Sequence, residues 1–325
     1  MSNPAEDCPG ADALRTVLVA ETRELSDGVR GLTLVDPDGL PMVAWEPGAH
    51  IDLALPSGLV RTYSLCGDPD DRSSYQIAVL REPESRGGST EVHEQVGAGD
   101  TLRIRGPRNH FPLVPASGYV FVAGGIGITP ILPMLAAATQ RRIPWRLVYG
   151  GRTRESMAFI DRLSQWSSAV QVLPQDEVGL LDIPGLVRPG DGERVYCCGP
   201  TPLLDAVAEH CGAIGTSDRL HIERFSAQAI VPSANDQPIE VQLGPHGPVL
   251  DVPADRSILS VLLEKGVDVA FSCEEGTCGS CETIVLAGEP DHRDELLTDG
   301  EKERGCMLLC VSRACGPRLV IDVNP

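Results

Sequence analysis

The sequence is short of positive charge. Its 325 residues include 46 acidic and 27 basic side chains, for a formal net charge of −19. Gripping nucleic-acid phosphates or an anionic membrane needs a basic face, so neither role is expected. Lysine is nearly absent, with 2 residues against 25 arginines, a bias that points to no function. No run approaches 18 apolar residues, so no transmembrane helix is expected. The acidic start MSNPAEDCPG has no apolar core segment, so no signal or transit peptide is expected and the chain reads as cytoplasmic. No Gly-x-Ser-x-Gly elbow supports hydrolase chemistry. No Cys-x-His pair offers a Rieske-type centre. The seven histidines (50, 93, 110, 210, 221, 246, 292) lack metal-ligand spacing and read as surface or core residues. There is no internal repeat.

What is present is cysteine, glycine, proline and enough apolar residues (42 %) for packed cores. At about 100–200 residues per domain, the length allows two or three domains. In a cytosolic chain, eleven cysteines should be reduced or metal-bound rather than paired in disulfides. Five of them (Cys8, Cys66, Cys197, Cys198, Cys211) are scattered. Six (Cys273, Cys278, Cys281, Cys306, Cys310, Cys315) crowd the C-terminal stretch, which suggests a separate small metal domain.

Residues 1–112 contain short runs rich in Val, Leu, Ile, Thr and Tyr, separated by Pro/Gly turns, as in an antiparallel β-barrel. From 113 to 228 strands alternate with helices, as in a parallel-sheet α/β domain. Helices are expected over PILPMLAAATQ, RESMAFIDRLSQW and PLLDAVAEHC. Residues 229–238 form a Pro-containing linker, and 239–325 a small α+β unit with one helix, SILSVLLEKG. The expected fold class is therefore multi-domain, combining α+β and α/β parts.

Within SCEEGTCGSC, four residues separate Cys273 from Cys278 and two separate Cys278 from Cys281; Cys310 follows after 28 more. This is the plant-type ferredoxin spacing, in which four thiolates hold a [2Fe–2S] cluster. Gly276 and Gly279 let the backbone curl so that thiolates converge. Structural zinc also takes four cysteines, but zinc ribbons usually present two close pairs. Cys306 and Cys315 compete with Cys310 for the fourth place; the 28-residue gap favours Cys310.

GGIGITP lies after a strand and opens a helix. Gly124, Gly125 and Gly127 allow close approach to a pyrophosphate, and the helix start supplies amide donors. Thr129 is a natural N-cap and Pro130 a natural first helical residue. Cys198-Gly199-Pro200 occupies an equivalent strand-to-helix turn. It reads either as an ordinary tight turn or as a small side chain set beside a nicotinamide ring. Arg61-Thr62-Tyr63-Ser64 combines a cation, an aromatic wall and a hydroxyl donor, the three things a flavin needs. By itself the stretch reads equally as a plain strand. Arg86-Gly87-Gly88-Ser89-Thr90 starts a short helix, a second anion site by the same physics.

Taken in order, RTYSL, RGGS, GGIGITP, CCGP, HIERF and SCEEGTCGSC…CVSRA resemble the phthalate dioxygenase reductase family over nearly the whole chain. The resemblance implies an FMN-binding β-barrel, an NAD-binding α/β domain and a C-terminal β-grasp ferredoxin domain. Arg61, Thr62, Tyr63 and Ser64 would hold the flavin, Ala78, Val79 and Leu80 would meet the ring edge, and Gly87, Gly88 and Ser89 would take its phosphate. Gly124, Gly125, Gly127, Thr129, Cys198, Gly199 and Pro200 would receive the nucleotide. Phe225 would pack against the flavin with Glu223 beside it, against an alternative of plain core packing. Ser64, Thr129, Cys198 and Phe225 form the implied reacting set, and Cys273, Cys278, Cys281 and Cys310 the cluster ligands.

FMN is implied over FAD, and NADH over NADPH, although Arg152 and Arg154 could greet a 2′-phosphate. The implied activity is that of an NADH-dependent reductase passing single electrons through FMN and [2Fe–2S] to a separate Rieske non-haem iron oxygenase for an aromatic compound. The chain itself would be monomeric. A reductase for a cytochrome P450 or another acceptor is the alternative, and a non-catalytic redox sensor a third reading. Residues 236–325 hold 17 acidic and 7 basic side chains, a net −10. Such a face would steer toward a basic partner or simply keep the protein soluble.

Overall fold

The computed structural model describes residues 14–82, 87–225, 236–274, 276–294 and 296–323. Arg86 and most of the expected linker lie outside them. Residues 14–225 form one compact unit, and the described residues from 236 onward belong to another.

In the first unit, β1 (Arg15–Ser26), β2 (Val29–Val35), β3 (His50–Ala54), β4 (Val60–Ser64), β5 (Tyr75–Leu80) and β6 (Thr101–Arg108) make an antiparallel sheet of order β4-β3-β6-β1-β2-β5. The edge strands β4 and β5 approach each other, which rolls the sheet into a barrel. Alternation sets the inner face: Leu102 and Ile104 of β6 are buried while Thr101 and Arg103 are exposed. Val19, Leu34, Ile51, Leu53, Tyr75 and Ile77 join them in the barrel core. A buried ion pair between Asp52 and Arg108 ties β3 to β6. Helix α1 (Gly88–Gln95) follows β5.

The same unit continues into a parallel sheet of β7 (Gly118–Gly124), β8 (Trp145–Gly151), β9 (Val170–Pro174), β10 (Glu193–Cys198) and β11 (Leu220–Glu223), in the order β11-β10-β7-β8-β9. Every residue of β7 is buried, as expected of a strand covered on both faces. Tyr119, Phe121 and Ala123 pack with Ile131, Leu132 and Leu135 of helix α2 (Ile128–Gln140). Val120 and Val122 pack with Leu204, Val207 and Cys211 of the helix Thr201–Ala213.

One expected helix is not continuous. RESMAFIDRLSQW breaks into a 3₁₀ turn at Arg154–Ser156, one helical turn at Ile160–Leu163 and another 3₁₀ turn at Ser164–Trp166. Phe159 takes a left-handed φ of 65° at the break. Met157, Ala158 and Leu163 are buried in the sheet's core, with Phe159 and Ile160 packed against it, so tertiary burial overrides helical propensity.

The barrel and the parallel sheet are joined by a short clamped crossover. Asn109 donates to Pro47 O at 3.0 Å and accepts from Phe111 N at 3.0 Å. Tyr196 donates to Pro112 O and accepts from Val114 N, both at 2.9 Å. Gly48, at φ 95°, faces the Phe111 carbonyl so closely that a Cβ there would stand 1.9 Å from its oxygen.

In the second unit, β12 (Ile239–Leu243), β13 (Val249–Val252), β14 (Glu282–Ala287), β16 (Cys306–Leu308) and β18 (Arg318–Asp322) form a mixed sheet of order β13-β12-β18-β14-β16. Only β12 and β18 pair in parallel. The helix Ile258–Glu264, capped by Ser257, lays Ile258, Leu259, Val261 and Leu262 on this sheet, the β-grasp arrangement. A two-stranded pair of β15 (Pro290–Asp291) and β17 (Arg313–Ala314) was not legible in the sequence. Arg293 holds Asp236 through Nη1 at 2.9 Å, and Arg313 donates to Gln237 O at 3.0 Å, so the end of the linker is fastened to this unit.

Gly48→Ala is expected to destabilise the first unit by about 3 kcal/mol or more, because positive φ and a backbone clash coincide. A lowered denaturation midpoint of the 14–225 unit checks this.

Candidate redox sites

The carboxyl ends of β7, β10 and β11 lie side by side, the place where open parallel sheets bind ligands. Two turns meet there backbone to backbone. A Cβ on Gly127 would stand 2.3 Å from the Cys198 carbonyl oxygen, and one on Gly199 would stand 2.9 Å from Gly124 Cα. These glycines thus have a packing reason of their own: they let β7 and β10 end in contact. Gly125, at φ 54°, has nothing within 4 Å of its Cβ position and is the open glycine of the turn.

Thr129 is not the helix cap expected from the sequence. Gly125–Gly127 form a 3₁₀ turn that runs directly into α2, so the helix starts at Ile128 with Gly127 as N-cap. Thr129 Oγ1 instead donates to Ile126 O at 3.0 Å, with the residue buried. Pro130 is consequently the third helical residue, not the first.

Three strands from two sheets converge on one carboxyl group. Ser64 at the end of β4 donates to Glu223 Oε2 at 3.4 Å, and Cys198 at the end of β10 donates to the same oxygen at 3.9 Å. Protein surrounds the Glu223 carboxyl, yet the residue keeps some accessible surface, so it lies deep but is not sealed. Burial pushes its pKa up to about 8, opposed by the bonds from Ser64 and Cys198. Burial also pushes the Cys198 thiol up, and Glu223 adds to this. At neutral pH the centre therefore holds a protonated acid and a thiol, two proton-bearing groups without net charge. The sequence signal for Glu223 is weak: a lone glutamate in a strand, two residues before Phe225. Phe225 itself is 42 % exposed, which removes the core-packing alternative.

On the barrel side, β4 alternation separates the RTYS residues. Thr62 donates to Asp52 Oδ1 at 2.8 Å, joining the Asp52–Arg108 pair. Arg61 lies against the start of α1, where a Cβ on Gly88 would stand 2.6 Å from Arg61 Nε. Gly87, at φ 93°, is the N-cap. Ser89 Oγ accepts from Glu82 N at 3.1 Å. Tyr63 packs on the barrel core, where burial raises its phenol pKa. Ala78 and Val79 are buried on β5 and Leu80 is partly buried. A cation, backbone amides and an aromatic side chain on one side of the barrel fit a flavin phosphate and ring.

In the second unit, Cys273 and Cys281 lie within hydrogen-bonding reach of Cys310. Thr277 N donates to Cys273 Sγ at 3.5 Å, and Cys278 Sγ lies 3.1 Å from Ser280 Oγ. Gly276 and Gly279 take φ values of 73° and 72°, giving the loop its curl. Cys315 points elsewhere, exposed and directed at Pro290 O. Cys306 sits on β16 and is disulfide-bonded, which departs from the expectation of reduced thiols. Its engagement there and the position of Cys315 leave Cys310 as the partner of the loop. Soft thiol donors on a tightly curled loop fit an iron–sulfur cluster.

Comparison with known proteins accords with this geometry. Residues 241–315 match the "2Fe-2S iron-sulfur cluster binding domain" family, and residues 121–179 the "oxidoreductase NAD-binding domain" family. The phthalate 4,5-dioxygenase oxygenase reductase subunit of Pseudomonas putida is 40 % identical over 315 residues, 94 % of this chain and 95 % of that one. A solved phthalate dioxygenase reductase, described as a modular structure for electron transfer from pyridine nucleotides to [2Fe–2S], is 37 % identical with a TM-score of 0.71, covering 99 % of this chain and 100 % of its own. An intact type IV self-sufficient cytochrome P450 monooxygenase is 44 % identical with a TM-score of 0.87; there the match covers 95 % of this chain but 41 % of the larger one. The two units therefore define an oxidoreductase that joins an NAD-binding domain to a [2Fe–2S] domain. The chain belongs to the phthalate dioxygenase reductase family. No described helix is long and apolar enough to cross a membrane.

The raised Glu223 pKa has a signed consequence for stability. From the ordinary glutamate value of 4.5 up to about 8, the unfolded chain ionises this residue while the folded one keeps it protonated. Its contribution is thus full below 4.5 and lost as pH rises through 8. Between pH 5 and pH 8.5 the wild type should lose on the order of a few kcal/mol more unfolding free energy than Glu223→Gln. Denaturant titration of both proteins at the two pH values checks this.

Proposed function

We propose that the chain is the NADH-dependent reductase of a multicomponent oxygenase, delivering single electrons to a separate Rieske non-haem iron oxygenase that acts on an aromatic compound. The observation that carries this reading is the convergence of Ser64, Cys198 and Glu223 beside the Gly124–Gly127 turn. It supplies donors and a compact wall where a nicotinamide and a flavin ring would meet. When bound, FMN would accept a hydride from NADH and release the electrons one at a time to the cluster.

The chain's residues then have stated tasks. Arg61, Gly87, Gly88 and Ser89 hold the FMN phosphate, Tyr63 walls the ring, and the Ala78–Leu80 backbone meets its edge. Thr62 acts through Asp52 as a positioning residue. Gly124, Gly125, Gly127, Thr129, Gly199 and Pro200 shape the nucleotide site. Cys198 leaves room for the nicotinamide, and Phe225, exposed beyond β11, covers the flavin. Ser64 and the protonated Glu223 offer hydrogen bonds at the reacting edge and exclude bulk water. Cys273, Cys278, Cys281 and Cys310 ligate the cluster. The domain limits are 1–112, 113–228 and 239–325, with the linker between. The protein works as a cytoplasmic monomer, and its net −10 at 236–325 steers it toward a basic patch on the oxygenase.

The likeness to a self-sufficient P450 supports a second reading, in which the acceptor is a cytochrome P450. Reconstitution with each oxygenase type separates the two. Purified protein should show flavin and iron–sulfur absorption, with about two iron, two sulfide and one FMN per chain, and should bleach on NADH addition. A colourless protein, or zinc without sulfide, would overturn the proposal. Cys310→Ser is expected to abolish cluster absorption while leaving NADH-dependent ferricyanide reduction largely intact. Electron delivery to the oxygenase should slow as ionic strength rises; a rate indifferent to salt would remove the steering argument.

A further inference from the structure

In open parallel sheets the adenosine end of a dinucleotide lies past the strand that follows the glycine-rich turn. An acid there takes the ribose 2′-hydroxyl of NAD, and an arginine there takes the 2′-phosphate of NADP. In this chain that strand is β8, and Arg152-Thr153-Arg154 follows it. Taken alone, two arginines and no acid form a site for the phosphorylated nucleotide.

The turn after the next strand changes the charge. Glu177, just past β9, receives both arms of the Arg154 fork: Nε to Oε1 at 3.0 Å and Nη2 to Oε2 at 2.9 Å. Glu155 and Asp176 also act electrostatically on Arg154. Arg154 thus faces three carboxylates. The segment is held in place around them. Thr153 and Ser156 bond reciprocally, Asp27 N donates to Glu155 O at 2.8 Å, Ser26 Oγ donates to Ser156 O at 3.2 Å, and Asp176 N donates to Arg152 O at 3.1 Å. These bonds fix the backbone that carries Arg154 beside Glu177.

We propose that Glu177 sets the nucleotide selectivity of this reductase by occupying the Arg154 guanidinium, so that NADH is accepted and the 2′-phosphate of NADPH is refused. This rests on the reading of residues 113–228 as the NADH site. A 2′-phosphate would have to displace Glu177 and bring further negative charge among three carboxylates. A ribose hydroxyl meets no such opposition and can donate to the carboxylate's remaining lone pairs. The pair is solvent-exposed, each side chain close to half accessible, so it is not needed for folding.

The test uses the full-length holoprotein with Glu177→Gln, Arg154→Ala and the double variant, with ferricyanide as acceptor. The ratio of kcat/KM for NADPH over NADH should rise about tenfold in Glu177→Gln, through a lower KM for NADPH, and the double variant should lose that gain. Calorimetry with 2′-AMP should show the matching increase in affinity in Glu177→Gln only. A ratio unchanged by Glu177→Gln, or a gain that survives removal of Arg154, overturns the proposal. A folding defect would depress both nucleotides and leave the ratio alone. Wild type that NADH cannot reduce would defeat the underlying function; wild type that NADH reduces, with a ratio blind to Glu177, would defeat this inference alone.

Discussion

The first unit depends on one close approach. β7 and β10 end in turns that touch backbone to backbone, with Gly127 against the Cys198 carbonyl and Gly199 against Gly124. Any side chain at these glycines would push the strands' ends apart. Their contact aligns Cys198 with Ala123 across the sheet and, through the β10–β11 register, places Glu223 beside Cys198. The barrel must then dock so that Ser64 reaches the same carboxyl. The clamp formed by Asn109, Phe111, Tyr196 and Gly48 holds that docking.

That geometry has an electrostatic result. A carboxyl group enclosed by two sheets ionises reluctantly, and a thiol beside it more reluctantly still. The site therefore presents hydrogen-bond donors without charge where two planar rings are proposed to stack. At the other end of the same sheet's carboxyl edge the opposite design prevails: Arg154 and Glu177 pair in water. Burial governs the Glu223 end and charge balance the Arg154 end. In the second unit the corresponding constraint is the curl of the thiol loop, set by Gly276 and Gly279 in left-handed conformations.

Much of this was legible in the residues. Strand alternation in LRIRG, the fully apolar YVFVA and the four-then-two cysteine spacing each encode a local rule, so barrel, parallel sheet and thiol loop could be read directly. The failures have physical causes. RESMAFIDRLSQW has helical composition, but Met157 and Ala158 are drawn into the core and break it. Thr129 has the chemistry of a cap, but the preceding glycines already form a helical turn. β15 and β17 are two residues each, too short for any periodicity.

The sequence by itself determined the element types, the order of the parts and the curl of the cysteine-bearing loop at Gly276 and Gly279, because each rests on spacing within a few residues. Only the tertiary structure decided which distant groups share a site. Ser64 and Glu223 are separated by 159 positions, and their meeting depends on how one sheet docks on another. The pKa of Glu223 follows from that enclosure, and the meaning of Arg154 from a glutamate 23 positions away. The opening shortage of positive charge is likewise sharpened by the fold: past the end of β8, Glu177 from the turn after β9 takes up Arg154.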